Sequence, residues 1–411
     1  MSSKNYFIGL MSGTSLDAID VAIVDIQPIN KIGCEDKISL VASHSVSLPK
    51  LIKSNLIHLS FEQNVNMQIL GHTGVQLAHL FADAINDLMD KYKIDKSQIT
   101  AIGSHGLTIR HQPNDEFPFS MQITDANLLA QLTGIDVVSD FRNMDVAVGG
   151  QGAPLVPAFH QALFAQQFNT EAGEQLDDNS ACILLNLGGI ANITVLNPNA
   201  EVVGFDTGPA NTLLDTWCEM HTQKPYDAQG MWAASGVVNH TLLDIMLEDN
   251  YFSLPWPKST GKELFNIAWL NKQLELYTVK INEPAIKELL TQKDFQQLLP
   301  EDIQRTLLQL TVITAAEQIK TFTHTKKLFI CGGGVHNQFL IAQLQQELPQ
   351  YIIQATDSLG INSDALEAMA FAWLAYCRVN LMSANSPSVT GAQKKIVMGS
   401  WYSAKADKVI N

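Results

Sequence analysis

The feature that most constrains this sequence is a short glycine-containing turn that joins two strands and does not lead into a helix. Residues 7–11 are predicted to form a buried strand, and residues 19–26 (IDVAIVDI) are rich in β-branched side chains and too few for a helix. Between them, residues 12–15 (SGTS) offer N–H groups and hydroxyls that can cradle a negatively charged oxygen. A P-loop or dinucleotide-binding loop runs into a helix. This hairpin therefore predicts a different phosphate-binding device, with an ordinary polar turn as the alternative.

A second glycine turn repeats this arrangement further along the chain. Residues 182–187 and 190–196 are predicted strands, joined by Gly188 and Gly189. A Gly-Gly pair alone usually marks only a turn, but here it repeats the first hairpin. One such hairpin in each half predicts a duplicated α/β architecture with a cleft between the halves.

The length of 411 residues allows two to three domains, each with its own core. We predict an N-terminal α/β domain over residues 1–145 with the first hairpin. The second α/β domain, residues 146–411, is predicted to hold the second hairpin and a triple glycine. The polar, acidic stretch 169–180 is predicted to be a surface insertion.

The triple glycine, Gly332, Gly333 and Gly334, lies between a predicted strand (328–331) and a predicted helix (about 337–348). Such a loop lets a nucleotide pack closely and presents a helix N-terminus to phosphate. The alternative is a tight strand-to-helix turn without a ligand. Further elements are predicted at residues 66–92, 126–133 and 300–323 (helices) and at 101–103 and 135–139 (strands).

Asp206 follows a strand predicted over residues 201–205, and a helix is predicted from about residue 212. Catalytic carboxylates of open α/β sheets commonly lie at strand ends. Spacing alone does not rank Asp206 above its rivals, most of which are expected to cap helices or form ion pairs. These rivals are Asp17, Asp20, Asp140, Asp145 and Glu367. His105, in a GSHG stretch, can orient a substrate hydroxyl or simply be hydrogen-bonded in the core.

The composition of the chain and the motifs that it lacks argue against several classes of function. With 26 basic and 41 acidic residues, the net charge of −15 disfavours nucleic acid as a partner. No apolar run reaches membrane length and no leader peptide is expected. Five scattered cysteines without a CxxC pair indicate reduced thiols in the cytoplasm, and the histidines lack zinc-site spacing. Neither GxSxG nor GxxxxGK[ST] occurs, so acyl transfer and P-loop hydrolysis lose support.

Several long motifs resemble those of the anhydro-N-acetylmuramic acid kinase family. They are GLMSGTSLDAID, AIGSHGLTIRH, VVSDFRNMDVAVGGQGAPLVPAFHQALF, GFDTGPANTLLDTW, PKSTGKELFN, FICGGGVHN and LEAMAFAWLA. The resemblance runs from residue 9 to about 391. It implies the two-domain actin/hexokinase/Hsp70 ATPase fold, which is ribonuclease H-like and duplicated, with both hairpins as phosphate loops around a central nucleotide cleft.

The resemblance also implies a reaction and its partners. The family opens the 1,6-anhydro ring of anhydro-N-acetylmuramic acid with water and phosphorylates the freed O6 from ATP, with Mg²⁺. The product, N-acetylmuramic acid 6-phosphate, belongs to cell-wall (peptidoglycan) recycling in the cytoplasm. No nucleic acid or membrane partner is implied. A homodimer is compatible with the resemblance, and neither the oligomeric state nor the metal ligands follow from the sequence.

The resemblance also implies roles for individual residues, each assigned by its position in a shared motif. Asp206 in GFDTGP matches the general base. The first phosphate loop comprises Ser12, Gly13, Thr14, Ser15, Leu16, Asp17, Ala18 and Ile19. Gly188 and Gly189 match the second loop, and the triple glycine 332–334 lies on the adenosine side. Sugar contacts are expected from His105, Thr108, Arg142 and Glu367. The family commonly has glycine where this chain has Ala18 and Ala210, and neither change removes a reactive group.

Two other functions remain open at the level of sequence. One is a different sugar or acid kinase of the same fold, which would phosphorylate a free hydroxyl without ring opening. The other is a non-catalytic, nucleotide-gated sugar sensor. A repressor of that kind needs a DNA-binding helix-turn-helix, and a chaperone needs a separate peptide-binding domain; neither is predicted here.

Overall fold

The computed structural model describes residues 5–13, 18–28, 36–168, 181–198, 200–282 and 298–405. The chain forms two compact units. The first comprises Met1–Ala181, Leu196–Gly204 and Leu359–Asn411, and the second comprises Cys182–Val195 and Phe205–Ser358. This division differs from the predicted boundary after residue 145, because the chain returns to the first unit near its C-terminal end.

The first unit is built on a six-stranded sheet. Its strands are β1 (Tyr6–Met11), β2 (Ala18–Gln27), β3 (Lys37–Ser47), β4 (Ile99–Ser104), β7 (Val137–Ser139) and β13 (Ser400–Tyr402), in the order β13-β7-β4-β1-β2-β3. Strand β1 pairs antiparallel with β2 and parallel with β4. A separate antiparallel hairpin consists of β5 (Leu107–Gln112) and β6 (Phe119–Ile123).

Helices cover this sheet. They are α1 (Lys50–Phe61), α2 (Met67–Tyr92), α3 (Ala126–Thr133), α4 (Phe141–Ala147), α5 (Val156–Phe168), α13 (Leu366–Val379) and α14 (Pro387–Thr390). Helix α13 carries the apolar run 368–377, and every residue of that run is buried. The run is therefore a core helix. None of the helices described has the length and apolar character needed to cross a membrane.

The second unit repeats the strand order of the first. Its sheet contains β8 (Cys182–Leu187), β9 (Ile190–Leu196), β10 (Val203–Pro209), β11 (Lys327–Cys331) and β12 (Ile352–Ala355), ordered β10-β9-β8-β11-β12. Strand β11 pairs parallel with both β8 and β12. In each unit the strands follow the order third, second, first, fourth, fifth. The predicted duplicated α/β architecture is confirmed.

The helices of the second unit are α6 (Asn211–Thr222), α7 (Met231–Ser235), α8 (His240–Leu247), α9 (Asn250–Ser253), α10 (Ile267–Asn282), α11 (Pro300–Lys320) and α12 (Gln338–Glu347). Long α11 begins with proline in its first turn and two acids, Glu301 and Asp302, which suit a helix N-terminus. Short 3₁₀ turns occupy Lys96–Gln98, Ala228–Gly230, Gly333–His336 and Thr356–Leu359.

Both glycine hairpins form as predicted, and the helix predicted from about residue 337 begins at Gln338. The third strand of the second sheet extends to Pro209, so Asp206 lies inside the strand and not at its end. The triple glycine enters a 3₁₀ turn, Gly333–His336, before α12 begins. Strands β3, β12 and β13 and the hairpin β5–β6 were not predicted. The predicted insertion at 169–180 lies outside the described residues.

Candidate active site

Asp206 is held in place by the backbone of the segment 258–260. Its side chain is only 6% exposed. The Asp206 N–H donates to the Lys258 carbonyl at 3.2 Å, and the Thr260 N–H donates to Asp206 Oδ2 at 2.9 Å. The Tyr251 hydroxyl donates to the Asp206 carbonyl at 2.7 Å. These bonds fix both the strand and the carboxylate, as a preorganised base requires.

An aromatic cluster supports this arrangement. The ring of Phe265 packs edge-on against Tyr251 (5.5 Å between centroids) and against Trp269 (5.1 Å), and it stacks on Phe252. Gly208, two residues after Asp206, has φ +153°, and a Cβ there would lie 2.8 Å from Cε1 of Phe252. Burial raises the pKa of Tyr251 strongly, and the Asp206 charge adds to this. Tyr251 is therefore a neutral donor to the Asp206 backbone.

Lys258 is an unexpected component of this region. It is 4% exposed, and its ammonium donates to the carbonyls of Tyr251 (3.2 Å) and Phe252 (3.3 Å). The same ammonium lies 4.8 Å from the centre of the Tyr251 ring. Burial lowers the pKa of Lys258, and Asp206 opposes that shift. Sequence reasoning did not single out Lys258, Thr260 or Tyr251. The sequence feature that could have pointed to Lys258 and Thr260 is the motif PKSTGKELFN, which follows Asp206 by some fifty positions.

The second hairpin and the triple glycine lie together. A Cβ on Gly332 would overlap Asn186, and one on Gly334 would overlap Leu187, so only glycine fits at these two positions beside β8. Gly333 has no such neighbour, since its nearest atom is Nδ2 of Asn211 at 3.8 Å. This close packing accompanies the tight 3₁₀ turn, Gly333–His336, that precedes the predicted helix. Asn211 Nδ2 in turn donates to the Leu187 carbonyl at 3.0 Å.

The turn at Gly188 and Gly189 is fixed onto the start of α6. The N–H groups of Ala210 and Thr212 both donate to the Gly189 carbonyl, and the Asn211 N–H donates to the Gly188 carbonyl. The glycine carbonyls are thus occupied within the protein. Backbone N–H groups are what such a turn can offer an anion.

The first hairpin loop is only partly within the described residues. The Ser12 hydroxyl donates to the Ala18 carbonyl at 2.9 Å and bridges the base of the loop. Ser12 and Ile19 are buried, whereas Gly13 is partly exposed. Thr14, Ser15, Leu16 and Asp17 lie outside the described residues, so their assignment to ATP phosphates stays a prediction.

The structure brings His105 and Arg142 together. Arg142 Nε donates to His105 Nε2 at 3.0 Å, and the other ring nitrogen of His105 lies 3.2 Å from the Gly106 carbonyl. This requires the proton on Nδ1 and a lone pair on Nε2. Burial, and then Arg142, hold the pKa of His105 well below its usual value, so the ring is neutral. The His105 N–H donates to the Leu10 carbonyl, next to the first hairpin loop.

Helix α13 also reaches His105. The ring of Phe371 packs 4.7 Å from the His105 ring. Glu367 is one helical turn before Phe371, so it lies on the same side of α13. Thr108, on β5, accepts a hydrogen bond from Gln122 Nε2 of β6 at 3.2 Å. The described contacts therefore join His105, Arg142 and Phe371 of α13, and place Thr108 separately on the hairpin.

The rival carboxylates have other partners. Asp145 is fully buried: its Oδ1 accepts from Asn385 and Thr390 at 2.9 Å, and its Oδ2 accepts from the Gly152 N–H at 2.8 Å. It ties the glycine-rich segment after α4 to the C-terminal part of the unit. Burial raises the pKa of Asp20, and the charge of Asp364 adds to this. Within the described ranges, no group of three or more His, Cys, Asp or Glu side chains could hold a metal ion.

Comparison with known families gives a full-length match. Residues 5–404 match the model of the family described as anhydro-N-acetylmuramic acid kinase. A protein of that name from Vibrio vulnificus strain CMCP6 is 42% identical over 405 residues, which is 98% of this chain and 100% of the relative. The Pasteurella multocida protein of the same name is 45% identical over 404 residues, 98% of each chain.

Solved structures resemble this chain more distantly. The activator of 2-hydroxyisocaproyl-CoA dehydratase from Clostridium difficile is 12% identical with a TM-score of 0.39, over 91% of this chain and 96% of the other. A ROK family glucokinase from Streptomyces griseus is also 12% identical, with a TM-score of 0.37 over 90% and 98%. These TM-scores are too low to transfer the role of any residue. The full-length family match, by contrast, leaves no ambiguity: this chain belongs to the anhydro-N-acetylmuramic acid kinase family.

Proposed function

We propose that this protein uses ATP to convert 1,6-anhydro-N-acetylmuramic acid and water into N-acetylmuramic acid 6-phosphate and ADP, in the recycling of peptidoglycan. The observation that carries the proposal is the full-length relationship to kinases of that name. The four cysteines within the described residues are buried thiols, which suits the reducing cytoplasm where we place the enzyme.

In the proposed reaction Asp206 is the general base. Its carboxylate takes a proton from water, and the water oxygen forms a bond to the anomeric carbon C1. The C1–O6 bond breaks, and the electron pair left on O6 attacks the γ-phosphorus of ATP. The bond between that phosphorus and the β–γ bridging oxygen breaks, which releases ADP, and Asp206 returns its proton to solvent. The fixed position of the carboxylate supports this role.

The glycine turns are proposed to hold ATP. Residues Ser12 to Ile19 would contact its phosphates, together with Gly188 and Gly189, while residues 332–334 face the adenosine side. Phosphoryl transfer depends on positioning and charge neutralisation, which backbone N–H groups supply. Mg²⁺, when bound to ATP, neutralises phosphate charge and commonly takes only one or two protein carboxylates.

Four residues of the first unit are proposed to hold the sugar. Neutral His105 is locked in one tautomer by Arg142 and Gly106. Arg142 carries the positive charge that suits the carboxylate of a muramic acid. Thr108 and Glu367 would add hydrogen bonds to hydroxyl or amide groups.

The proposal is tested by turnover of the parent and of Asp206→Asn. The parent should phosphorylate the anhydro sugar and not free N-acetylmuramic acid or hexoses. Asp206→Asn keeps size but cannot take a proton, so kcat should fall by about 10²–10⁴-fold while both substrates still bind. The control is Asp244→Asn, an exposed carboxylate on α8, which should keep full activity. Phosphorylation of free sugars by the parent would instead favour an ordinary sugar kinase, and no turnover would favour a sensor.

A further inference from the structure

Lys258 is buried in a way that lysines rarely are. Only 4% of it is exposed. Within the part of the chain that the structure describes, no carboxylate oxygen lies within 4.0 Å of its ammonium, while the more accessible Lys280 and Lys320 have such partners. Fully buried lysines are almost always paired, because removing an ammonium from water is costly. The free-energy cost of burying this ammonium indicates that its positive charge has a function.

The ammonium is held as a fixed charge. Two carbonyls at the end of α9, those of Tyr251 and Phe252, accept its hydrogen bonds, and the Tyr251 ring lies beneath it. Its backbone carbonyl accepts from the Asp206 N–H, which ties the segment of Lys258 to the strand of Asp206. Within the described residues, Lys258 and Tyr251 of α9 interact electrostatically with Asp206, and Glu263 acts on Tyr251. Of these, only Lys258 is positive.

We propose that Lys258 is a positioning residue whose ammonium keeps the Asp206 carboxylate ionised and ready to accept a proton from water. The proposal rests on the proposed role of Asp206 as general base. An opposite charge stabilises the ionised form of a carboxyl group. Burial, which leaves Asp206 only 6% exposed, disfavours the charged form of a carboxyl group, so a buried base needs such compensation.

The competing explanation is that Lys258 only ties down the end of α9. The two explanations differ in pH dependence. If the positive charge of Lys258 keeps Asp206 ionised, Lys258→Met should move the acid limb of the kcat/KM profile to higher pH by about one unit. This is the lower end of the range by which a nearby opposite charge shifts the pKa of a carboxyl group. Lys258→Arg keeps the charge and should leave the limb in place. Lys280→Met, which removes a partly exposed lysine of α10, is the matched control and should also leave it in place.

A second readout does not depend on turnover. The ¹³C signal of the Asp206 carboxyl, assigned by its loss in Asp206→Asn, is titrated in the parent and in Lys258→Met. Should Lys258→Met not fold, Lys258→Gln takes its place, since Gln can still donate to a carbonyl. A higher titration midpoint of the Asp206 carboxyl group in the neutral variant supports the inference. Inactivity of the parent on the anhydro sugar would overturn only the proposed function and would leave this result standing. An unchanged midpoint overturns the inference.

Discussion

Three histidines of the first unit show how burial sets charge at the scale of single residues. Burial lowers the pKa of His111 to about 4, with a contribution from Arg142, and lowers that of His160 to about 3. Burial and Arg142 also hold the pKa of His105 well below 6.5. All three rings are therefore neutral in the folded protein at neutral pH, which is the state that the His105–Arg142 hydrogen bond requires.

These histidines predict a loss of stability in mild acid. Below about pH 6.5 the unfolded chain protonates them and the folded chain does not, so the unfolding free energy should fall as the pH falls. Each residue contributes up to about 1.4 kcal/mol per pH unit, until the pH reaches its folded pKa. Urea unfolding between pH 5 and 8 measures this slope. Replacing exposed His72 by Gln should leave the slope unchanged, and a flat stability between pH 5 and 6.5 would show that the buried rings are already charged.

At the scale of elements, the contact between α13 and the first sheet is made through two paired glycines. Gly9 of β1 is opposite Gly103 of β4. A Cβ on Gly9 would overlap the carbonyl of Ala368, and a Cβ on Gly103 would overlap that of Phe371. The absence of side chains here lets the helix backbone touch the strands. The same helix carries Glu367 and Phe371, so the glycines also set the position of Phe371 beside His105 and of Glu367 one turn before it.

Gly9→Ala and Gly103→Ala should each lower the unfolding free energy by about 3 kcal/mol or more, because the clash is between backbone atoms that cannot rotate away. The matched control is Gly71→Ala on α2, where a Cβ meets nothing within 4 Å. That change should raise the unfolding free energy by about 0.5–1 kcal/mol. Chemical denaturation measures all three. Gly9→Ala with parental stability would mean that α13 packs differently.

Local patterns predicted the elements better than they predicted the site. Short apolar runs on either side of a glycine turn predicted both hairpins, since strand and turn propensities act over a few residues. The surroundings of Asp206 could not be predicted in this way, because Tyr251, Lys258 and Thr260 contact it from 45 to 54 positions further along. The 3₁₀ turn before α12 could not be predicted for a similar reason: Leu187, far away in sequence, packs against Gly334 and tightens the turn.

At the scale of the whole molecule, two sheets with the same strand order carry different parts of the proposed chemistry. The proposed base Asp206, the second hairpin and the triple glycine belong to the second unit, and the residues proposed for the sugar belong to the first. Family membership spans residues 5–404 and therefore covers both units. The central claim is that one reaction opens the anhydro ring with water and phosphorylates the oxygen that is released.

Incubation with ATP, Mg²⁺ and the anhydro sugar in ¹⁸O-labelled water tests this claim most directly. Mass spectrometry of the 6-phosphorylated product should find one ¹⁸O at the anomeric carbon and unlabelled oxygen in the phosphate ester, because water attacks C1 and O6 stays on C6. Authentic product kept in the same water controls for exchange of the anomeric oxygen. Label in the phosphate ester, or a phosphorylated product with its anhydro ring intact, would contradict the account.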